Sequence, residues 1–299
     1  MLIKRFQMNY NNVSRREFLR IASIVSVLPN VAAVALSASS NSKPVTKETL
    51  EMKLGDSKVQ ILKITGKDTG IVYWRPHSDE QIAAQAIEEH INRYGGTGYI
   101  ILPDSNQRDI NFEIGGQPYK IDPNRVFTER GIVEQCKAAK GTPKYNAIKA
   151  FADEWLIVLK GYQVIVAAHN NENGFSGDGK GGLGTVSIKL YEEKYKDKYP
   201  GAVHIAPHED DDDLIWVTNK NDFIYLATVI HPNDPSLKGY NLVLEPNVFR
   251  RGAYDDGSAS VVFSQPPHKK RYFNCETEKG VSKPRLLKML RVIHEYTAK

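Results

Sequence analysis

Alternation of apolar strands with amphipathic helices is the feature that most constrains the fold of this 299-residue chain. Apolar runs typical of strands occur at residues 59–64, 70–74, 99–102 and 163–168. Residues 79–94 and 143–160 instead place their apolar side chains at the spacing of a helix. Strands that alternate with helices in this way predict an α/β fold with a largely parallel central sheet.

The remaining patterns extend this prediction along the chain. Further strands are expected at residues 185–190, 214–218, 240–244, 260–263 and 271–275, and a hairpin at 112–121. Two further helices are expected, at residues 221–230 and 283–296. Because no repeat or linker interrupts residues 41–299, we expect them to form a single domain.

The first forty residues have the composition of an export signal. Ser14-Arg-Arg-Glu-Phe-Leu-Arg20 is a twin-arginine motif, followed by an apolar run over residues 21–38 and by small residues suited to cleavage. We therefore predict that residues 1–40 are a twin-arginine signal peptide that the twin-arginine (Tat) translocase handles during export. The expected location is the periplasm or cell envelope, and an uncleaved membrane anchor is the alternative.

Most of the positive charge belongs to this segment. The whole chain carries a formal net charge of +5, and residues 1–40 hold five basic residues against Glu17. That leaves residues 41–299 close to neutral, so the sequence does not support a nucleic-acid partner. After cleavage, no stable membrane span is expected.

Two cysteines, Cys136 and Cys275, lack the spacing of a metal or redox motif. Export in the folded state implies folding in the reducing cytoplasm, which favours two buried free thiols over a disulfide. The alternative of a disulfide formed in the periplasm stays open.

Polar residues that can bind a metal follow several of the predicted strands. His77 and Glu80 follow strand 70–74, His169 follows strand 163–168, and Glu276 follows strand 271–275. Ligands of open α/β sheets bind at the carboxyl ends of strands, so these side chains are expected to meet. Imidazole nitrogen and carboxylate oxygen are zinc ligands, and three protein ligands leave a fourth position open for catalysis.

The same residues, in this order, resemble a known family. His77-Ser-Asp-Glu80, Asp122-Pro-Asn-Arg-Val-Phe127, His169 and Phe273-Asn-Cys-Glu276 look like the motifs of zinc metallocarboxypeptidases of the carboxypeptidase A-like (funnelin) superfamily. The resemblance implies a mixed sheet of about eight strands, mostly parallel, with helices on both faces. It further implies one Zn²⁺ held by His77, Glu80 and His169.

Roles for three further residues also follow from the resemblance. Glu276 would be the catalytic base, and Asn124 with Arg125 would bind the free carboxylate of a peptide substrate. Arg108 lies where a carbonyl-polarising arginine would be expected, and no clear match is found for the family's substrate-covering tyrosine. Glu245 and Glu278 are the alternative general bases.

Two unusual segments lie between His169 and Glu276. The glycine-rich residues 173–184 lack the pattern of a phosphate-binding loop and are interpreted as a loop beside His169. The acidic run of residues 209–213 is typical of a solvated loop, with a calcium site or a substrate-gating rim as alternatives.

Together these features predict a zinc-dependent hydrolase of peptide or amide bonds that acts on cell-wall peptides, with a peptide or muropeptide as substrate. The first alternative is a zinc N-acetylmuramoyl-L-alanine amidase, whose first histidine and glutamate are normally far apart in sequence. The second is a non-catalytic envelope binding protein that has kept the fold and binds its ligand in the cleft.

Overall fold

The computed structural model describes residues 44–103, 107–171, 186–231, 234–278 and 283–298, all within one compact unit that spans Ser42–Lys299. The predicted signal peptide therefore lies outside the described residues, as does the whole glycine-rich segment 173–184. None of the helices in the described ranges combines the length and apolarity that crossing a membrane requires.

The described residues form thirteen strands and six α-helices. The strands are β1 (Thr46–Leu54), β2 (Ser57–Thr65), β3 (Ile71–Arg75), β4 (Thr97–Ile101), β5 (Ile110–Ile114), β6 (Gln117–Ile121), β7 (Val164–Asn171), β8 (Val203–His204), β9 (Leu214–Val217), β10 (Ile230–His231), β11 (Asp234–Lys238), β12 (Leu242–Leu244) and β13 (Arg271–Glu278). The helices are α1 (Gln81–Tyr94), α2 (Pro143–Lys160), α3 (Ile188–Tyr195), α4 (Lys220–Thr228), α5 (Ala259–Phe263) and α6 (Lys283–Thr297). A π-helical turn spans Gly131–Gln135, and a 3₁₀ turn spans Pro246–Val248.

Nine of these strands form one mixed sheet in the order β1-β2-β4-β3-β7-β13-β9-β12-β8. The central strands β4, β3, β7 and β13 pair in parallel, and six of the nine strands share their direction. The predicted α/β class is confirmed, with nine strands where about eight were expected. Two-stranded sheets β5-β6 and β10-β11 lie outside the main sheet.

Helices cover both faces of this sheet, as predicted. Successive side chains of a strand point to opposite faces, so Trp74 packs with α2 on one face while Tyr73 packs with α1 and α6 on the other. The apolar positions of α2 recur at helical spacing and are buried against the sheet, as in Ile148 and Trp155. Thr142 accepts a hydrogen bond from the Tyr145 amide and caps that helix.

Two of the predicted strands are wrong. Residues 188–190 begin helix α3, because Ser187 caps it by accepting a hydrogen bond from the Lys189 amide. Residues 260–263 belong to helix α5, whose first amide, that of Ala259, donates to the Asn124 side chain 3.2 Å away. In both segments a tertiary or capping contact outweighs the strand preference of β-branched residues.

Both cysteines are free thiols in buried positions, which confirms the favoured prediction. Burial raises the pKa of each thiol above its ordinary value. The thiolate is the reactive form of cysteine, so these two side chains contribute packing and no nucleophile.

Candidate metal centre

The His-x-x-Glu motif forms a tight turn between strand β3 and helix α1. His77 lies two residues beyond the end of β3, and Glu80 is the residue that precedes the first turn of α1. The Glu80 amide approaches the His77 carbonyl at 3.4 Å, and this turn directs both side chains inward. His77 Nδ1 consequently lies 2.8 Å from Glu80 Oε1, and both side chains are buried.

A buried arginine, Arg75, binds the backbone of this turn. Its guanidinium donates hydrogen bonds to the backbone carbonyls of Ser78, Glu80 and Ile101. Burial lowers the pKa of Arg75 to about 10, while the carboxylate of Glu80 opposes that shift. Arg75 was not predicted from the sequence. A basic residue at the end of an apolar strand is nevertheless a signal, because a buried guanidinium needs hydrogen-bond acceptors around it.

His169 reaches the turn from strand β7, the neighbour of β3 in the sheet. Its Nδ1 lies 3.1 Å from His77 Nδ1 and 3.2–3.3 Å from the two carboxylate oxygens of Glu80. The structure therefore brings together His77, Glu80 and His169, the three residues predicted to bind zinc, and all three are buried.

Asp122 completes the arrangement on the outer side of His77. It follows strand β6, and its Oδ1 lies 2.9 Å from His77 Nε2. A histidine that binds a metal through one nitrogen characteristically donates its other N–H to a carboxylate, which fixes the tautomer. Asp122 was part of the predicted motif, but its contact with His77 could not be read from the spacing.

These contacts fit a divalent cation. With the Nε2 proton of His77 directed at Asp122, its Nδ1 presents a lone pair 2.8 Å from a carboxylate oxygen, which is also an acceptor. Either a proton or a metal ion has to lie between two such acceptors. Zinc bonds of about 2.0–2.1 Å in tetrahedral geometry separate neighbouring ligand atoms by roughly 3.3 Å, close to the observed separations.

The pKa values of His77 and Glu80 are shifted by the charged groups packed around them. Burial lowers the pKa of His77, but the carboxylates of Glu80 and Asp122 outweigh burial and raise that pKa to about 9. Burial would likewise raise the pKa of Glu80, yet His77 and His169 hold it well below its ordinary value. The cluster of carboxylates therefore attracts a cation, and a metal ion competes with a proton for the position.

A cavity of about 540 Å³ opens beside this cluster, and Glu276 lines it together with His169. The two residues are direct register partners on the parallel strands β13 and β7. Asn274, two residues earlier and on the same face of β13, donates a hydrogen bond of 3.0 Å to Glu276 Oε1. Glu276 is thus held at the cavity wall beside His169.

Asn124 and Arg125 also line the cavity, in a turn that Asp122 organises. The Asn124 amide donates to Asp122 Oδ1, and the Arg125 amide donates to the Asp122 carbonyl. Arg108 lines the same cavity, and its Nε lies 3.2 Å from Asp122 Oδ2. The Asp122 carboxylate therefore contacts His77 through Oδ1 and Arg108 through Oδ2. Of the predicted site residues, Asn124, Arg125, His169 and Glu276 line this cavity, whereas His77 and Glu80 are buried beside it.

Several cavity residues were not predicted. Tyr191, Trp216 and Tyr254 contribute aromatic side chains to the wall, and Asp256 adds a carboxylate. Tyr254 donates a hydrogen bond of 3.3 Å to Asp256 Oδ2. Residues 254–258 have the composition of a turn, so nothing in the sequence distinguished Tyr254 and Asp256 from ordinary loop residues.

The alternative bases lie in other environments. Glu245 is fully buried and does not line the cavity; burial, with Asp256 nearby, raises its pKa to about 8. Glu278 is buried on β13 near Arg285, whose Nη1 lies 3.7 Å from Glu278 Oε1. Of the three candidate carboxylates, Glu276 is the one at the cavity.

The acidic run of residues 209–213 is only partly a solvated loop. Asp212 and Asp213 are buried, and Arg285 Nη1 lies 2.7 Å from Asp213 Oδ2 and 3.6 Å from Asp210 Oδ2. Lys288 Nζ lies 3.6 Å from Glu209 Oε1. Asp210 and Asp212 nevertheless each place a carboxylate oxygen within 4.8 Å of one from Glu278, a group that could hold a cation, so a calcium site stays an alternative for this run.

Comparison with known proteins gives only distant similarity. No family model matches the chain, and no curated protein matches it. A solved structure from Shewanella baltica, provisionally assigned as a metallopeptidase, aligns at 12% identity and TM-score 0.38, over 82% of this chain and 84% of that one. Bovine thrombin-activatable fibrinolysis inhibitor, solved in complex with tick carboxypeptidase inhibitor, aligns at 12% identity and TM-score 0.44, over 84% and 89%.

A third solved structure, from Shewanella amazonensis, carries a provisional assignment to the succinylglutamate desuccinylase/aspartoacylase family. It aligns at 10% identity and TM-score 0.37, over 83% of this chain and 71% of that one. At such identities and TM-scores the similarity has no bearing on activity.

Proposed function

We propose that this protein is a zinc-dependent hydrolase of peptide or amide bonds, with carboxypeptidase-like chemistry, that is exported by the twin-arginine route and acts on cell-wall peptides in the envelope. The observation that carries the proposal is the convergence of His77 Nδ1, the Glu80 carboxylate and His169 Nδ1 within 2.8–3.3 Å of one another. The cell-wall substrate rests on the export motif alone.

The donor set matches the chemistry of a hydrolytic zinc site. His77, Glu80 and His169 would hold the metal, and Asp122 would fix the tautomer of His77. When bound in such a site, zinc lowers the pKa of water to about 7 and polarises carbonyl groups. Three protein ligands would leave a fourth position for water or substrate, and His169 lines the cavity through which substrate would approach.

The other residues would position substrate and move the proton. The Glu276 carboxylate, held by Asn274, would accept a proton from the attacking water and return it to the leaving amine nitrogen. Arg125 would bind a substrate carboxylate through its planar guanidinium, with Asn124 beside it. Arg108 lies on the same wall and would stabilise negative charge that develops on the scissile carbonyl oxygen.

The test is incubation of the purified protein with muropeptides, with and without a chelator, with products read by mass spectrometry. We expect loss of single residues or short peptides from the stem, abolished by chelator and restored by added zinc. Release of an intact stem peptide from muramic acid would instead identify an N-acetylmuramoyl-L-alanine amidase. Binding of muropeptides without any cleavage would identify the non-catalytic binding protein, and products that are insensitive to chelator would overturn the metallohydrolase.

A further inference from the structure

A second cluster of imidazole and carboxylate groups lies in another part of the chain. His208 and Glu209 belong to the segment between strands β8 and β9, and His231 is the last residue of β10. Each of the three offers one ligand atom, and these atoms lie within 4.8 Å of one another. The three side chains do not line the cavity beside His169, so the cluster shares no residue with the candidate metal centre or the proposed substrate site.

The buried side chain of Asn241 fixes the turn that carries His208 and Glu209. Its Oδ1 accepts a hydrogen bond from the Ala206 amide at 2.8 Å, and its Nδ2 donates to the Asp210 carbonyl at 2.7 Å. Within the turn, the Glu209 amide donates to the Ala206 carbonyl at 3.1 Å. The backbone is therefore anchored on both sides of these two candidate ligands.

His231 is held through its Nε2 nitrogen. This atom donates to the Gly239 carbonyl at 2.7 Å, and the ring stacks on Tyr240 with centroids 4.6 Å apart. Gly239 has a φ of +81°, and a Cβ there would lie 2.6 Å from the Ala227 carbonyl oxygen, so this position requires glycine. With the proton on Nε2, the Nδ1 of His231 carries a lone pair. A histidine that binds a metal characteristically donates its other N–H to a carbonyl or carboxylate in this way.

One polar atom of each side chain in the cluster lacks a hydrogen bond. Within the described ranges, His208 Nε2, Glu209 Oε1 and His231 Nδ1 are shielded from solvent and have no hydrogen-bond partner. Buried polar atoms are almost always satisfied by protein, by water or by a bound ion. Three unsatisfied atoms on three neighbouring side chains therefore point to a ligand that binds all three.

The distances and charges of the cluster fit a transition-metal ion. His208 Nε2 lies 3.4 Å from Glu209 Oε1, close to the roughly 3.3 Å that separates neighbouring ligand atoms of tetrahedral zinc, and His231 Nε2 lies 3.8 Å from the same oxygen. Burial lowers the pKa of His231, which favours the neutral imidazole that metals bind. Lys288 Nζ lies 3.6 Å from Glu209 Oε1 and repels a cation there, so this site should hold a metal less tightly than the candidate metal centre.

We propose that His208, Glu209 and His231 bind a second zinc ion, which cross-links the turn after β8 to strand β10. Two imidazoles with one carboxylate suit zinc, whereas calcium and magnesium prefer oxygen ligands alone. Three protein ligands would leave a fourth position, which a water molecule can fill. Because the three side chains do not line the cavity, the expected role of this ion is to stabilise the fold, and the proposal does not depend on the proposed function.

The test uses His169→Ala, which lacks a ligand of the candidate metal centre, so that zinc at the second site is measured alone. We expect this variant to bind one equivalent of zinc in equilibrium dialysis, with metal content read by atomic spectroscopy, and its Tm to rise with zinc concentration. Addition of Glu209→Gln should lower this zinc affinity by more than about 100-fold, because loss of a residue that only orients a ligand already costs about 10–100-fold. His208→Gln, at a partly exposed position, should give the same loss and serves if Glu209→Gln does not fold.

Asp211→Asn on the same background is the matched control. Asp211 belongs to the same acidic run as Glu209 but pairs with Lys189, so this variant should keep the zinc affinity of His169→Ala. Circular dichroism of each variant shows whether loss of zinc is separate from loss of fold. Failure of His169→Ala to bind zinc, an affinity unchanged by Glu209→Gln or His208→Gln, or an equal loss in Asp211→Asn would overturn the second site. None of these results bears on the hydrolase, which is tested by the activity of the wild-type protein.

Discussion

The Nδ1 atoms of His77 and His169 lie 3.1 Å apart, although 92 positions separate the two residues in the chain. Their strands β3 and β7 are parallel neighbours, so both histidines emerge at the same edge of the sheet. Two imidazole nitrogens at this distance, with a carboxylate beside them, form a candidate metal site that no local segment of the chain could supply.

Removal of His169 should abolish tight zinc binding. We expect the wild type to bind one equivalent of zinc tightly. Mutation of a residue that hydrogen-bonds to a metal ligand typically lowers metal affinity by roughly 10–100-fold. His169→Ala should lower zinc affinity by more than this, because it removes a ligand itself. The measurement is competition with a chromophoric chelator, with metal content read by atomic spectroscopy. His268→Ala is the control, since His268 lies outside the cluster, and equal zinc affinity of wild type and His169→Ala would refute the assignment.

Asp122→Asn should weaken zinc binding without removing a ligand. Asp122 Oδ1 accepts from His77 Nε2, and the loss of this carboxylate frees the ring to adopt the wrong tautomer. We expect a loss of affinity of about 10–100-fold, smaller than that of His169→Ala. Asp109→Asn is the control, because Asp109 pairs with Lys120 rather than with a histidine. The zinc affinity of Asp109→Asn should equal that of the wild type.

Glu276→Gln should separate catalysis from metal binding. The glutamine keeps the hydrogen-bonding shape beside Asn274 but cannot take a proton, so kcat should fall by about 10²–10⁴-fold while zinc affinity stays unchanged. The readout is muropeptide hydrolysis alongside the chelator competition assay. Glu278→Gln is the control, because Glu278 does not line the cavity. A larger loss of kcat in Glu278→Gln than in Glu276→Gln would show that Glu276 is not the general base.

Much of this architecture could be predicted from the pattern of the chain. Apolar runs such as residues 164–168 and the helical stripe of α2 are long and periodic, so both their type and their place in the core followed from the sequence. The three proposed metal ligands could be predicted because each lies near the end of a strand or in the turn after it, and strand ends meet at one edge of a sheet.

Other parts depend on contacts that a single sequence does not display. Strand β1 was not predicted, because most of its residues are polar and exposed. It forms a strand because it pairs with β2 along its whole length. Asp256 could not be assigned to the cavity, because its position beside Arg125 depends on the close approach of Gly257 to a segment more than a hundred residues earlier. The burial of Asp213 likewise depends on Arg285, which a run of acids gives no reason to expect.

The fully buried carboxyl of Glu245 should make stability depend on pH. Burial comes first among the causes, with Asp256 adding repulsion, and together they raise the pKa of Glu245 to about 8, although Asn247 and Ser260 donate hydrogen bonds that oppose the shift. Between the ordinary value of 4.5 and 8, the folded protein holds a proton that the unfolded chain has lost. The stabilising contribution of the protonated carboxyl is therefore complete below pH 4.5 and declines as the pH rises towards 8.

Glu245→Gln should remove this dependence. A neutral amide has no charge to bury, so the variant does not lose stability as the pH rises. The unfolding free energy of the variant minus that of the wild type should therefore increase by up to about 1.4 kcal/mol for each pH unit between pH 4.5 and about 8. Urea unfolding of both proteins at pH 6.0 and pH 8.5 measures the difference, and groups that titrate elsewhere cancel in the comparison. A difference that is the same at both pH values would show that Glu245 is ionised in the folded protein throughout.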